Sequence, residues 1–190
     1  MLFRSPLYWT SFDVVRKIRG LLKIKKVGHA GTLDPLASGL LIVCTGKFTK
    51  KINEYMAKEK EYTGTITLGA VTPTYDLESF PEQHKDISLL TETDIRNAVG
   101  LFQGELMQMP PIYSAIKKKG TPLYELARRG EEVEIEPRKI LIQSFEIIHF
   151  RLPEIDFKVV CSTGTYIRSL ADRKSTRLNS SHLVISYAVF

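Results

Sequence analysis

Residues 28–41 read GHAGTLDPLASGLL, a stretch that joins a basic segment to an apolar run. Three glycines, one histidine, one proline and a single acid, Asp34, lie ahead of its apolar end. Glycine and proline in such close succession are typical of a tight turn. The stretch therefore predicts a turn that presents one carboxylate between a helix and a buried strand.

The chain on either side of this turn predicts regular elements. Ser11 or Thr10 can cap a helix whose apolar residues recur at three- and four-residue steps and which ends near Gly28. The run LLIVC at 40–44 indicates a buried strand. Thr91 and Asp94 have the spacing of a capping box, which predicts the start of a second helix.

Further strands are predicted later in the chain, where polar and apolar residues alternate. They cover 61–69, 131–136, 139–150 and 155–161. Proline-containing stretches at 72–90 and 109–120 are predicted to be loops. Because strands outnumber helices and come in consecutive runs, the expected class is α+β, with a mixed, largely antiparallel sheet and flanking helices.

Composition indicates one globular domain. The chain has 190 residues, of which 43% are apolar and 25% charged. No stretch approaches the roughly 18 consecutive apolar residues of a membrane span, and the first residues lack the apolar core of a signal peptide. Cys44 and Cys161 are too few and too isolated for a disulfide framework. These features predict a cytoplasmic protein with two buried thiols and no membrane partner.

The charge distribution points to a polyanionic partner. The net charge is +6, and basic residues cluster at 16–26, 47–51, 116–120 and 127–130. Such clusters attract phosphate groups and are typical of nucleic-acid-binding surfaces. Nucleic acid is therefore the expected class of partner.

Several chemistries that use glycine-rich or acidic motifs do not fit. The stretch after Gly28 matches neither a phosphate-binding loop nor a dinucleotide fingerprint, and Ser38 lacks the G-x-S-x-G spacing of a serine hydrolase. The four histidines have no metal-ligand spacing, and a glycosidase would need a second carboxylate. Two interpretations of Asp34 remain: a catalytic carboxylate, or an acid that merely accepts hydrogen bonds in an Asp-Pro turn.

Several motifs together resemble the TruB family of tRNA pseudouridine synthases. GHAGTLDPLASGLL closely resembles the family's central motif, GH-x-G-x-LDP-x-A-x-G. Five more segments are similar to family segments in the same order: SFDVVRKIR (11–19), CTGKFTK (44–50), KEYTGTITLGAVTPTYDLE (60–78), MPPIYSAIKKKGTPLYELARRGEEVE (109–134) and CSTGTYIRSL (161–170).

The resemblance implies an isomerase that converts uridine 55 in the T loop of tRNA to pseudouridine, without a cofactor or metal. The reaction cleaves the N1–C1′ bond, turns the uracil and joins C5 to C1′. Asp34 would be the catalytic carboxylate, Tyr62 would stack on the uracil, and Arg168 would pair with Asp34. Both covalent addition by the carboxylate and a glycal route stay open.

The resemblance also implies an RNA surface. His29 would enter the RNA and help to displace the target base, and Tyr166 would lie beneath the site or in the core. Lys47, Lys117 and Lys118 would contact phosphates, together with cations such as Lys119 and Arg128. The expected partner is the T stem-loop of tRNA, bound by a monomer.

Two departures from the family pattern affect the domain prediction. Arg4-Ser5-Pro6 stands where the family has Asp-Lys-Pro, so the first strand is expected to be missing or altered. Residues 173–190 resemble no family segment. We therefore expect a catalytic domain at 1–172, shortened at both ends, and a disordered or non-native tail at 173–190. A catalytically defective RNA-binding fragment is the alternative function, with a nucleoside hydrolase less favoured.

Overall fold

A computed structural model describes residues 1–82, 84–171 and 183–189, the last seven by their backbone alone. The helices are α1 (Ser11–Leu22), α2 (Ile52–Met56), α3 (Glu92–Gly100), α4 (Leu123–Arg128) and α5 (167–171), with a 3₁₀ helix at Gly46–Lys51. The strands are β1 (Leu2–Ser5), β2 (Val27–Ala30), β3 (Ser38–Thr45), β4 (Lys60–Leu68), β5 (Gly104–Gln108), β6 (Lys117–Lys118), β7 (Thr121–Pro122), β8 (Arg138–Arg151), β9 (Glu154–Cys161) and β10 (Leu183–Val189).

One large sheet organises the molecule. Its strands follow the order β1-β3-β10-β4-β9-β8-β5, and β2 pairs with β3 beside this path. The β3–β10 pair is parallel, whereas the other neighbouring pairs are antiparallel. Strands β6 and β7 form a separate short hairpin. The prediction of an α+β fold with a mixed, largely antiparallel sheet is confirmed.

Helices α1 and α3 begin as their sequences predict. Thr10 and Asp13 form a capping box at α1, and Thr91 and Asp94 form one at α3. In each box the threonine hydroxyl accepts from the aspartate amide while the carboxylate accepts from the threonine amide, which satisfies two otherwise unpaired donors. The expected end of α1 near Gly28 is wrong: Lys23 takes a left-handed conformation, with φ 52°, and ends the helix.

Strand pairing corrects two other predictions. The first strand is present, since Leu2–Ser5 pair with residues 39–42 of β3. Residues 131–136 do not form a strand. That segment carries four glutamates and precedes Pro137, which cannot donate to a ladder, and the carbonyl of Glu134 accepts from Lys118 Nζ at 2.8 Å.

The tail also differs from expectation in part. Leu183–Val189 pair along β4 and touch the start of β3, so the expectation of disorder does not hold for these seven residues. Their sequence, LVISYAV, is rich in β-branched and apolar residues, which have high strand propensity. Residues 172–182 and 190 lie outside the described part of the chain.

Two apolar clusters lie against the sheet. The larger one joins α3 and α5 to β4, β8 and β9, and the smaller one joins α1 to β2, β3 and the turn after Ala30. Tyr62 packs against both clusters. Each fully buried aliphatic side chain, such as Ile18 or Ile155, contributes about 1.5–3 kcal/mol to folding. Cys44 and Cys161 are buried, unbridged thiols, as predicted.

None of the helices in the described ranges is long and apolar enough to span a membrane.

Candidate active site

The Asp34 turn lies between β2 and β3. The Ala37 amide donates to the Asp34 carbonyl at 2.9 Å, which closes a β-turn with Pro35 in its second position, where the fixed φ of proline is favourable. Gly31, just before the turn, has φ +104°, a conformation that side chains rarely adopt. The sequence prediction of a tight turn is confirmed.

Neighbouring elements hold this turn in place. The amide of Leu33 donates to Oγ of Ser11 at 2.9 Å, and Ser11 is 2% exposed at the start of α1. On the other side of Asp34, the Tyr8 amide donates to the Pro35 carbonyl at 2.6 Å. The backbone around the carboxylate is thus fixed from α1 and from the segment before it.

Asp34 and Arg168 form a two-point ion pair. Nε of Arg168 donates to Oδ2 of Asp34 at 2.9 Å, and Nη2 donates to Oδ1 at 3.1 Å. The Arg168 side chain is 7% exposed, whereas the Asp34 side chain is 28% exposed. Two parallel charge-assisted bonds fix the carboxylate plane as well as its position. Asp34 therefore faces solvent with a defined orientation.

Arg168 also binds two other loops. Nη1 donates to the carbonyl of Thr74 at 3.1 Å, and Nη2 donates to the carbonyl of Tyr113 at 3.1 Å. Oδ2 of Asp76, whose side chain is 3% exposed, lies 3.6 Å from Nη1. One buried guanidinium thus lies between two carboxylates and connects loops that are far apart in sequence.

Asp76 was not singled out from the sequence, which predicts 72–90 to be a loop. The carboxylate Oδ1 of Asp76 accepts from the Thr74 hydroxyl at 2.7 Å and from the Glu78 amide at 3.0 Å. Burial, followed by the nearby Asp76 and Asp34 carboxylates, raises the pKa of Glu78. The feature of the sequence that could have pointed to Asp76 was its position inside the family-like segment 60–78, next to a proline-containing turn.

Tyr62 lies on β4, within range of the electrostatic influence of Asp34. Burial raises the pKa of the Tyr62 phenol far above its ordinary value, and Cys161 and Asp34 raise it further. The phenol is therefore neutral across the physiological range. The structure pairs Asp34 with Arg168, and Tyr62 lies within electrostatic range of Asp34.

Tyr166 and His29 have more local surroundings. Burial raises the pKa of Tyr166, and its amide donates to Oε1 of Gln108 at 2.8 Å. His29 lies half-buried on β2, and its Nδ1 donates to the carbonyl of Gly31 within the same turn. Tyr166 thus lies next to the segment that carries Arg168, and His29 lies at the start of the Asp34 turn.

The predicted phosphate-binding cations are exposed. Lys47 lies on the 3₁₀ helix, and Lys117 and Lys118 lie on the β6–β7 hairpin, which also carries Lys119 at its turn. Tyr113, four residues before the hairpin, has its carbonyl bound by Arg168. The lysine hairpin is thereby anchored to the site at one end. Within the described ranges, no three His, Cys, Asp or Glu side chains cluster as metal ligands would.

Comparison with known proteins gives a consistent family assignment. The family described as TruB family pseudouridylate synthase, N-terminal domain, matches residues 19–167. A tRNA pseudouridine synthase B from Flavobacterium johnsoniae is 54% identical over 193 residues, which cover 97% of this chain and 84% of that protein. One from Clostridium tetani is 52% identical over 166 residues, covering 87% of this chain and 57% of that protein. These matches confirm the resemblance drawn from the motifs.

Solved structures agree on the fold. A Cbf5-Nop10-Gar1 complex contains a chain with a TM-score of 0.71 and 26% identity, matched over 97% of this chain and 46% of its own length. An H/ACA RNP bound to a substrate RNA containing 2′-deoxyuridine gives a TM-score of 0.67 at 24% identity, over 97% of this chain and 44% of that one. This chain therefore spans less than half of either solved chain.

Proposed function

The chain belongs to the TruB family of pseudouridylate synthases, and on that premise we propose that it converts uridine 55 in the T loop of tRNA to pseudouridine. The observation that carries the proposal is the two-point Asp34–Arg168 pair, in which a partly exposed carboxylate is oriented by a buried guanidinium. The relatives named tRNA pseudouridine synthase B, at 54% and 52% identity, support tRNA as the substrate.

Asp34 is the catalytic carboxylate in this proposal. The reaction breaks the N1–C1′ bond of the uridine and joins C5 to C1′; C5 then loses its proton and N1 gains one, so the product is an isomer of the substrate and no oxidant or reductant is needed. The ionised carboxylate acts on the sugar or on the base, by covalent addition or through a glycal. Arg168 donates to both carboxylate oxygens, which limits the orientations from which Asp34 can approach.

Tyr62 receives the uracil ring. A base inside a folded RNA loop must leave its stack to reach Asp34, which costs a few kcal/mol, and stacking on an aromatic side chain returns about 1–3 kcal/mol. Tyr62 is half-buried between the two apolar clusters and feels the charge of Asp34. His29, on β2 five positions before Asp34, assists the displacement of the target base, and Tyr166 supports the site from below.

Exposed cations supply the rest of the RNA affinity. Lys47, Lys117 and Lys118 contact phosphates of the T stem-loop, with Lys119 and Arg128 alongside them. The partner is thus tRNA recognised largely through the shape of its folded stem-loop. We further propose that residues 1–172 carry the catalytic machinery of the domain, to whose sheet Leu183–Val189 add a strand, and that the protein acts as a cytoplasmic monomer.

A second candidate is an RNA-binding fragment without catalysis. It is favoured by the exposure of the lysines on elements of their own, because their charge attracts RNA whether or not Asp34 is aligned. The two candidates differ in one measurable respect: both bind tRNA, but one of them isomerises uridine.

The test is release of tritium from tRNA labelled at C5 of uridine, measured for the wild-type chain and for Asp34→Asn. The wild type is expected to release tritium and Asp34→Asn to release none while still binding tRNA. Asp86→Asn is the matched control, because it makes the same chemical change at an exposed acid on another loop. Binding without release by the wild type would favour the fragment, and release by Asp34→Asn would remove Asp34 from the mechanism.

A further inference from the structure

Gln108 makes an unusual pair of contacts at the end of β5. Its side-chain Nε2 donates to the carbonyl of Tyr166 at 2.9 Å, and the amide of Tyr166 donates to its Oε1 at 2.8 Å. Both ends of one side-chain amide thus bind both backbone groups of one residue. This is the pattern of a paired residue in an antiparallel ladder, made here by a side chain.

Because Gln108 is buried, its side-chain amide needs both of these hydrogen-bond partners. Gln108 is 2% exposed, so an unmatched amide there would cost the full desolvation of a polar group. Its donor and its acceptor both have partners, and reversing the amide would place donor against donor and acceptor against acceptor. The geometry therefore admits one orientation of the Gln108 side chain and one position of the Tyr166 backbone.

Tyr166 immediately precedes α5 (167–171). The carbonyl that accepts from Gln108 also accepts from the amide of Leu170 at 3.1 Å, the first intrahelical bond of this helix. Arg168 lies two residues after Tyr166, within that first turn. Fixing both backbone groups of Tyr166 therefore fixes the direction in which the Arg168 side chain leaves the helix.

We propose that Gln108 is a positioning residue for catalysis, acting through the backbone of Tyr166 to aim Arg168 at Asp34. The inference rests on the proposed function, since it assigns a role in aligning the same carboxylate. A shift of about 1 Å in an aligned group lowers a rate by as much as two orders of magnitude. The two side-chain hydrogen bonds of Gln108 go to Tyr166 rather than to Asp34, so its effect passes through Arg168.

The first test is Gln108→Met, which keeps the length and volume of the side chain but lacks both the donor and the acceptor. We expect the single-turnover rate of tritium release to fall between tenfold and a hundredfold, and the Kd for tRNA to change less than twofold. Gln108→Glu is the second variant, because it keeps the acceptor and replaces the donor. Gln103→Met, an exposed glutamine earlier in the same segment, is the matched control and should keep the wild-type rate.

A double-mutant cycle separates positioning from general destabilisation. In an Arg168→Lys background the two-point pair is already absent, so adding Gln108→Met should lower the rate less than twofold further. An equal loss in both backgrounds would overturn the proposal, as would an unchanged rate in the single variant or a loss confined to Kd. If neither Gln108 variant folds, Gln108 belongs to the stability of the fold and the proposal fails.

A readout without catalysis keeps the two proposals distinguishable. The Nε–H of Arg168, which donates to Asp34, can be followed by ¹⁵N NMR through its exchange with solvent. We expect faster exchange in Gln108→Met and unchanged exchange in Gln103→Met. An inactive wild type would end the proposed function, yet unchanged Nε–H exchange in Gln108→Met would end the positioning role independently.

Discussion

Removing either member of the Asp34–Arg168 pair should abolish activity, but removing Arg168 should destabilise the fold much more than removing the Asp34 charge. Arg168→Met leaves Asp76, 3% exposed, without its guanidinium and takes away the donors to Thr74 and Tyr113. Breaking a buried pair in this way costs about 3–5 kcal/mol. Asp34→Asn leaves Arg168 paired with Asp76, and Asp34 is 28% exposed. Asp34→Asn should therefore lower the free energy of unfolding by about 1–2 kcal/mol.

The assay is urea unfolding at pH 7, followed by far-UV circular dichroism and extrapolated to water. Asp34→Asn should stay folded at low urea with no tritium release, whereas Arg168→Met should lose about 3–5 kcal/mol of a typical stability of about 5–15 kcal/mol, in addition to activity. The reasoning is refuted if Arg168→Met lies within about 1 kcal/mol of the wild type, or if Asp34→Asn is as destabilised as Arg168→Met.

Two other predictions concern charge. Replacing Lys117 and Lys118 together by alanine should reduce the slope of log K for tRNA against log salt by about 1 for each phosphate that is no longer neutralised. The slope is measured by filter binding, and Lys139→Ala on β8 is the control. An unchanged slope would show that the hairpin is not part of the interface. Burial raises the pKa of Cys161 from its ordinary 9.0 to about 11, so the unfolded thiol ionises first and stability should fall as pH rises from 9 to 11. Over that pH interval, the free energy of unfolding of Cys161→Ala should fall by less than that of the wild type, by on the order of 2–3 kcal/mol. Urea titrations at each pH measure both, and parallel pH profiles would contradict this account.

Local signals in the sequence predicted much of the fold. The capping box at Thr91, the turn at Asp34 and the alternating strand at 155–161 depend on neighbouring residues, which a single sequence displays. The missed features depend on distant partners. Leu2–Ser5 is a strand because β3 offers it an edge, and the glutamates at 131–136 resemble a strand but have no ladder to join.

The residues of the site also fall into those that the sequence predicted and those that it did not. Asp34, Tyr62 and Arg168 were predicted because their segments resemble family motifs; the structure pairs Asp34 with Arg168 and places Tyr62 within electrostatic range of Asp34. Asp76 and Gln108 were not predicted, since a polar residue in a loop or at a strand end looks the same whether it faces water or a buried partner. Their contacts are made through tertiary packing, and for Gln108 through the backbone of another residue, where side-chain identity gives no signal.

The distance along the chain between Asp34 and Arg168, 134 residues, has a consequence for biosynthesis. Domains fold as units as the chain leaves the ribosome, at about 5–20 residues per second. The basic helix α1 and its aspartate turn emerge many seconds before the arginine that orients the carboxylate. A nascent chain can therefore attract RNA through its cations before it can rearrange a nucleoside, and chemistry becomes possible only when α5 has brought Arg168 to the Asp34 turn.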